Sequence, residues 1–150
     1  MISLAIAAVV VVGIMVGVEF AVAVFVNPML ARLPLESSMA ARSDGARILG
    51  RVMPVWYSLS LVLMLASAVF SWGQPAGLPA LLSAILLAVS VVMSILFLVP
   101  INSRSAGWTP ESAPSDWREQ INRWDRLHYV RVAIIIAAFA LATVALALVG

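Results

Sequence analysis

Residues Trp117 to Val149 read WREQINRWDRLHYVRVAIIIAAFALATVALALV, without a glycine or a proline. Within this run Trp117, Ile121, Trp124, His128 and Arg131 recur at steps of four, three, four and three, so all five fall on one face of a single helix. Pro114 and Ser115 supply a stop and an N-cap, and Asp116 and Glu119 put negative charge in the first turn. Glu119 also precedes Arg123 by four residues, the better order for an ion pair. A helix from Asp116 to Val149 is roughly 50 Å long, against about 30 Å for the hydrocarbon core of a bilayer. The apolar part therefore spans, and the first third stands out of the membrane as a stalk that carries the chain's one histidine.

Working outward, 150 residues that are 63% hydrophobic and 11% charged, with a mean hydropathy of +1.08, exclude a soluble globular domain. Four apolar runs, 2–27, 52–71, 78–99 and 129–149, each approach the ~20 residues that a spanning helix needs. The expected fold is all-α: one integral membrane domain, a four-helix bundle whose fourth helix extends beyond the bilayer. The absence of cysteine excludes disulfides, thiol redox chemistry and Cys-ligated metals.

All nine basic residues are arginines, at 32, 42, 47, 51, 104, 118, 123, 126 and 131, in or beside the two connections 28–51 and 100–128. The turn 71–79 and both termini carry none. The positive-inside rule then puts the connections in the cytoplasm and both termini outside, in a multi-pass protein of the cytoplasmic membrane. Interleaved with Glu36, Asp44, Glu111, Asp116, Glu119 and Asp125, these arginines suit anionic lipid headgroups rather than nucleic acid.

The first span lacks the basic leading segment of a signal peptide and is too long for one, so it is read as retained despite the Ala21-Val22-Ala23 triplet. Its Gly13 and Gly17 form a GxxxG that permits close helix approach, within the bundle or in a homo-oligomer. Glu19 lies eight residues inside Asn27, roughly 12 Å deep, where a lone carboxylate is costly and has to be protonated, paired or watered. Span one descends and span four returns, so Arg131 is the expected partner of Glu19, with His128 one turn nearer the connections.

Asn27-Pro28 closes the first span and Pro100-Ile101-Asn102 the third; Arg51-Val52 and Arg131-Val132 open the second and fourth. This hints at two parallel helix-hairpin repeats whose two asparagines and two arginines ring one cavity. The connection 28–51 reads as a solvated linker with a helical stretch around 37–47, broken near Gly45. Pro54 falls in the first turn of span two, Trp56, Tyr57 and Trp72 read as headgroup anchors, and the loop 103–115 covers the cavity mouth with Trp108 as its large apolar contact.

One histidine cannot supply bis-histidine haem ligation, and Glu19, Asp125 and His128 lack metal-ligand spacing. No serine or threonine stands in a nucleophile's relation to His128. What remains is acid–base chemistry: an imidazole takes a proton from an acidic carbon or a phenol, and Arg131 and Asn102 stabilise the oxyanion in a low-dielectric pocket. The same Trp-x3-His-x2-Arg also describes an interfacial anchor, with its rings at the headgroups and its arginine reaching to phosphates.

Four spans of these lengths, Pro100 and Asn102 ending the third, Trp124, His128 and Arg131 entering the fourth and, more loosely, Asn27-Pro28 resemble the anthrone oxygenase family of small membrane proteins. The resemblance implies oxidation of a polycyclic anthrone-type phenol to a quinone by molecular oxygen, without an organic cofactor. On that pattern His128 is the base that forms the carbanion, Arg131 and Asn102 hold the oxyanion, and Trp124 stacks on the ring. The expected cavity faces the cytoplasm and is bounded by Glu19, Asn27, Asn102, Trp124, His128 and Arg131, with Trp108 over its mouth. The expected ligand is a lipophilic phenol entering from the bilayer, and no metal is called for. The competing expectation is a non-enzymatic membrane module, a small transporter or an accessory subunit, with Glu19 as a proton-linked or register-fixing charge.

Overall fold

The computed structural model describes residues 1–149 and consists of four long helices, each apolar enough to cross a membrane. These are α1 (Ile2–Leu30), α2 (Leu35–Phe70), α3 (Gly77–Ser105) and α4 (Trp117–Ala147). They form a ring in which α1 packs on α2 and α4, and α3 on the same two. Met1, Leu4, Ser71, Ala76, Ala145 and Val149 line one small crevice, so both termini and the α2–α3 turn share one end of the bundle. The connections 31–34 and 106–116 lie at the other.

The terminal half is dry and tight. Lipid tails are as apolar as leucine, so helix association in a membrane relies on close packing and interhelical hydrogen bonds. The core there accordingly uses Ala8, Ala68, Ala80, Ala84, Ala138 and Ala142 around Val12, Met15, Met64, Leu87 and Ile135, all buried. The Ser83 hydroxyl donates to the Ala138 carbonyl at 2.8 Å, tying α3 to α4. At Gly13 a Cβ would stand 2.9 Å from the Phe139 ring, so that half of the GxxxG serves contact between α1 and α4; a Cβ at Gly17 would meet nothing within 4 Å.

At the other half the helices depart from the expected pattern. Both α1 and α3 contain one π-helical segment, Val22–Val26 and Ser94–Leu98, followed by Asn27-Pro28 and Val99-Pro100. Proline lacks the N–H of the helical ladder and its ring crowds the preceding turn, and a π turn absorbs both effects without ending the helix. The Asn27 N–H goes to the Val22 carbonyl and the Val99 N–H to that of Ser94, five residues back in each case. In that register Ala23 would be served by Pro28, which has no proton to give. The Tyr129 hydroxyl of α4 donates to the Ala23 carbonyl instead, at 2.7 Å. The internal likeness of the two halves thus resides in these π turns. Arg51 is exposed and does not join Arg131 in the cavity, contrary to the four-residue ring expected from the repeat.

The connection 28–51 is not a solvated linker. Helix α2 runs unbroken for 36 residues through Gly45, Gly50 and Pro54, about 54 Å at the usual rise. Its first part therefore forms a second stalk beside that of α4, and Arg42 bridges them by reaching Asp125 at 3.4 Å and the Asn27 carbonyl at 3.3 Å. Pro54 sits in mid-helix, not in a first turn. The N-cap of α4 is Asp116 rather than Ser115, and its carboxylate receives the Gln120 amide. Trp72 is largely exposed, but Trp56 is half-buried and donates its indole N–H to the Val11 carbonyl at 3.2 Å, which makes it an interhelical strut.

Candidate functional site

The π-turn half encloses a cavity of about 540 Å³, within the range of small-molecule sites. Its walls are largely apolar: Val18, Val22 and Val26 from α1, Met53 from α2, and Ile95 and Val99 from α3. Polar groups converge on it from all four helices.

Glu19 and Arg131 are buried and paired, Nη2 to Oε2 at 2.5 Å. The same Nη2 donates to His128 Nδ1 at 3.0 Å, and Nη1 donates to the Ser94 hydroxyl at 3.0 Å, which in turn donates to the Ser90 carbonyl at 2.7 Å. His128 Nε2 lies 3.2 Å from the Glu19 main-chain oxygen, and its Nδ1 lies 3.3 Å from Glu19 Oε2. A carbonyl accepts only, so Nε2 carries the proton; Nδ1, facing a guanidinium, is the acceptor, and this network assigns a neutral imidazole. Both Glu19 contacts use Oε2, leaving Oε1 as the carboxylate oxygen without a protein partner among the described residues.

The sequence explains why these groups meet. His128 and Arg131 are three residues apart on one face of α4 and point at the descending α1 at the level where Glu19 faces inward. Trp124, one turn earlier, stacks on the imidazole with ring centroids 4.7 Å apart and planes 18° apart. Both residues line the cavity, so this stack of two rings stands in its wall. A carboxylate and a guanidinium buried together satisfy each other, whereas either alone is strongly unfavourable at this depth.

Not every residue singled out from the sequence joins this cluster. Asn27 lines the cavity and is buried, with its side-chain N–H2 unpartnered among the described residues. Asn102 lines the mouth, but its amide donates to the Ala46 carbonyl at 3.1 Å, tying α3 to α2, and makes no hydrogen bond to Arg131 or His128. Trp108 is half-buried in the α3–α4 connection and is absent from the cavity lining. Asp125 is held by Arg42 on the stalks, and among the described residues no three His, Asp or Glu side chains are grouped as metal ligands.

Two participants escaped the sequence reading. Ser94 sits in the π turn and receives the Arg131 guanidinium. Tyr57 is not a headgroup anchor: it is buried, lines the cavity and lies under the guanidinium, 5.3 Å from its ring centroid. Its step of four residues from Met53, itself buried, was the available signal, since the two share the inward face of α2.

The fold and this cluster define a class: a small four-span membrane protein with a buried acid–histidine–arginine site on the wall of an apolar cavity. The sequence pattern of the anthrone oxygenase family matches residues 49–141, well over half of the chain, and the chain belongs to that family. Tyr57, Ser94, Asn102, Trp124, His128 and Arg131 fall within the matched part; Glu19 and Asn27 do not. No curated protein and no solved structure matches it.

Proposed function

We propose that this protein is a membrane-embedded oxygenase that draws a lipophilic, polycyclic phenol of the anthrone type from the bilayer and oxidises its activated methylene to a carbonyl with dioxygen. The observation that carries this reading is the Glu19–His128–Arg131 cluster on the wall of an apolar cavity sized for a small molecule. Family membership supports the reaction class.

On this reading Glu19 and His128 act together as the base. The free oxygen of Glu19 takes the methylene proton, and His128 Nδ1, 3.3 Å from the other oxygen, offers a second resting place for it. Arg131 stabilises the charge that develops on the substrate's oxygen, where low dielectric makes a fixed cation most effective. The delocalised carbanion gives one electron to dioxygen, the resulting radical and superoxide combine, and the peroxide collapses to the ketone. One oxygen atom enters the product and the other leaves as water with the two methylene protons. Trp124, braced by its stack on His128, is the aromatic contact for the substrate's rings in the cavity wall. Because every arginine belongs to the cavity half or its stalks, this half is assigned to the cytoplasmic side.

A second reading keeps Glu19–Arg131 as a register-fixing pair in a non-enzymatic module, favoured by its direct bridging of α1 to α4. The two readings separate in proteoliposomes given 1,8-dihydroxyanthrone in an oxygen electrode. Protein-dependent oxygen uptake with matching quinone formation is expected, falling roughly 100-fold or more in Glu19→Gln and in His128→Ala. Uptake no faster than in empty liposomes would sink the oxygenase.

A further inference from the structure

Tyr57 carries a buried polar group that neither the ion pair nor the helix packing uses. Its ring is fully engaged, with 5% of the residue exposed and the Arg131 guanidinium over one face. Its hydroxyl is different: buried, on a residue that lines the cavity, and without a hydrogen-bond partner among the described residues. Glu19 from α1, Arg131 from α4 and Ser90 from α3 are the polar groups that act on it. The Ser90 hydroxyl is itself wholly buried and without a partner among the described residues. A phenylalanine would fill the same space without the cost of an unpaired hydroxyl, about 1–3 kcal/mol for such a group. The position therefore holds a proton donor on the cavity wall, in contact with the same guanidinium that pairs with Glu19.

We propose that Tyr57 is a catalytic acid for the oxidative half of the reaction, giving its proton to the departing oxygen when the substrate hydroperoxide collapses to ketone and water. This rests on the oxygenase reading above and assigns a step which that reading leaves without a donor. The peroxide anion first takes the methylene proton back from the Glu19–His128 pair to become the hydroperoxide; in the collapse the remaining C–H proton passes to the pair so emptied, and the C–H electrons become the second bond of the carbonyl. The O–O bond breaks and its electrons leave with the distal oxygen, which takes the Tyr57 proton and departs as water. The tyrosinate is stabilised by the guanidinium over its ring, and the Ser90 hydroxyl, unpartnered at rest among the described residues, turns to donate to it. It is then reprotonated from the Glu19–His128 pair, so the protein returns to its starting state. Dioxygen is the only oxidant required and no external reductant enters.

Splitting the reaction tests this. Under anaerobic conditions the base alone exchanges the methylene hydrogens of 1,8-dihydroxyanthrone with D2O; with oxygen the full sequence gives quinone. In proteoliposomes Tyr57→Phe is expected to keep exchanging deuterium while quinone formation falls roughly 100-fold and hydroperoxide accumulates. Ser90→Ala, which keeps the phenol but removes its support, is expected to show the same imbalance at under ten-fold. Quinone formation by Tyr57→Phe at the wild-type rate would overturn the proposal. A parallel loss of exchange and oxidation would overturn it too, by placing Tyr57 among the groups that hold the site together. Wild-type protein inert in both halves would instead remove the oxygenase reading, and the acid with it.

Discussion

The same four helices are built in two ways along their length. In the terminal half small side chains face each other and the helices close on a dry core of Ala8, Ala84, Leu87, Ile135 and Ala138. In the half beyond Glu19, α1 and α3 pass through π turns, α2 and α4 run on as stalks, and the space between them is a cavity with an ion pair in its wall. The first half is stabilised by packing and contains almost no chemistry. The second gives up packing to hold charged and polar groups where bilayer and connections meet. Close packing and polar chemistry are thus segregated along the bundle axis, and substitutions in the two halves should fail in different ways.

The largest effect is expected at the ion pair. Arg131→Leu leaves a buried carboxylate without a cation and should destabilise the folded protein by about 3–5 kcal/mol, read as the midpoint of unfolding in a denaturing-detergent titration. The double variant Glu19→Leu/Arg131→Leu should recover most of that loss and remain inactive, which separates the pair's structural cost from its chemistry. Recovery of activity with stability would break the division between the halves.

In the terminal half Ala138→Leu should cost about 1–3 kcal/mol by overpacking, with little change in substrate affinity per folded molecule. Its counterpart is Gly45→Leu. Gly45 lines the cavity, and a Cβ there meets nothing within 4 Å. The new side chain should leave the unfolding midpoint unchanged or raise it, since leucine exceeds glycine in a helix by up to about 1 kcal/mol, while oxygen uptake falls through occlusion. A fall in stability at Gly45→Leu equal to that at Ala138→Leu would show that the cavity half is as closely packed as the other.

Smaller again is Tyr129→Phe, which leaves the Ala23 carbonyl unserved and should cost about 1 kcal/mol. Adding Pro28→Ala restores a backbone N–H where the helix lacks one and should return part of that stability. The smallest effect is expected at Trp108→Ala, on the α3–α4 connection outside the cavity lining, with kcat and KM within error of the wild type; a raised KM would bring that loop back over the mouth.

Several of these distinctions were legible in the chain before any fold was known. The four spans follow from apolar runs that only a bilayer can solvate, and the long fourth helix follows from a stretch with nothing to interrupt it. The meeting of Glu19 with Arg131 and His128 is fixed by two requirements: an acid at that depth needs a partner, and antiparallel neighbours bring equal depths together. Trp124 on His128 is a consequence of helical spacing alone.

Other features were decided only by the tertiary structure. Hydropathy reports what a segment prefers to be dissolved in, not which neighbour satisfies it, so the polar stretch 35–51 looked like a linker although Arg42 and Asp125 make it a stalk. Proline marks a missing N–H, but whether the helix ends or shifts register depends on who serves the freed carbonyl; at Pro28 that is Tyr129, more than a hundred residues away. Tyrosine near a span's end is equally at home among headgroups or under a guanidinium. What puts Tyr57 in the site is the inward face of α2, which becomes inward only once α1 and α3 have packed on either side of it.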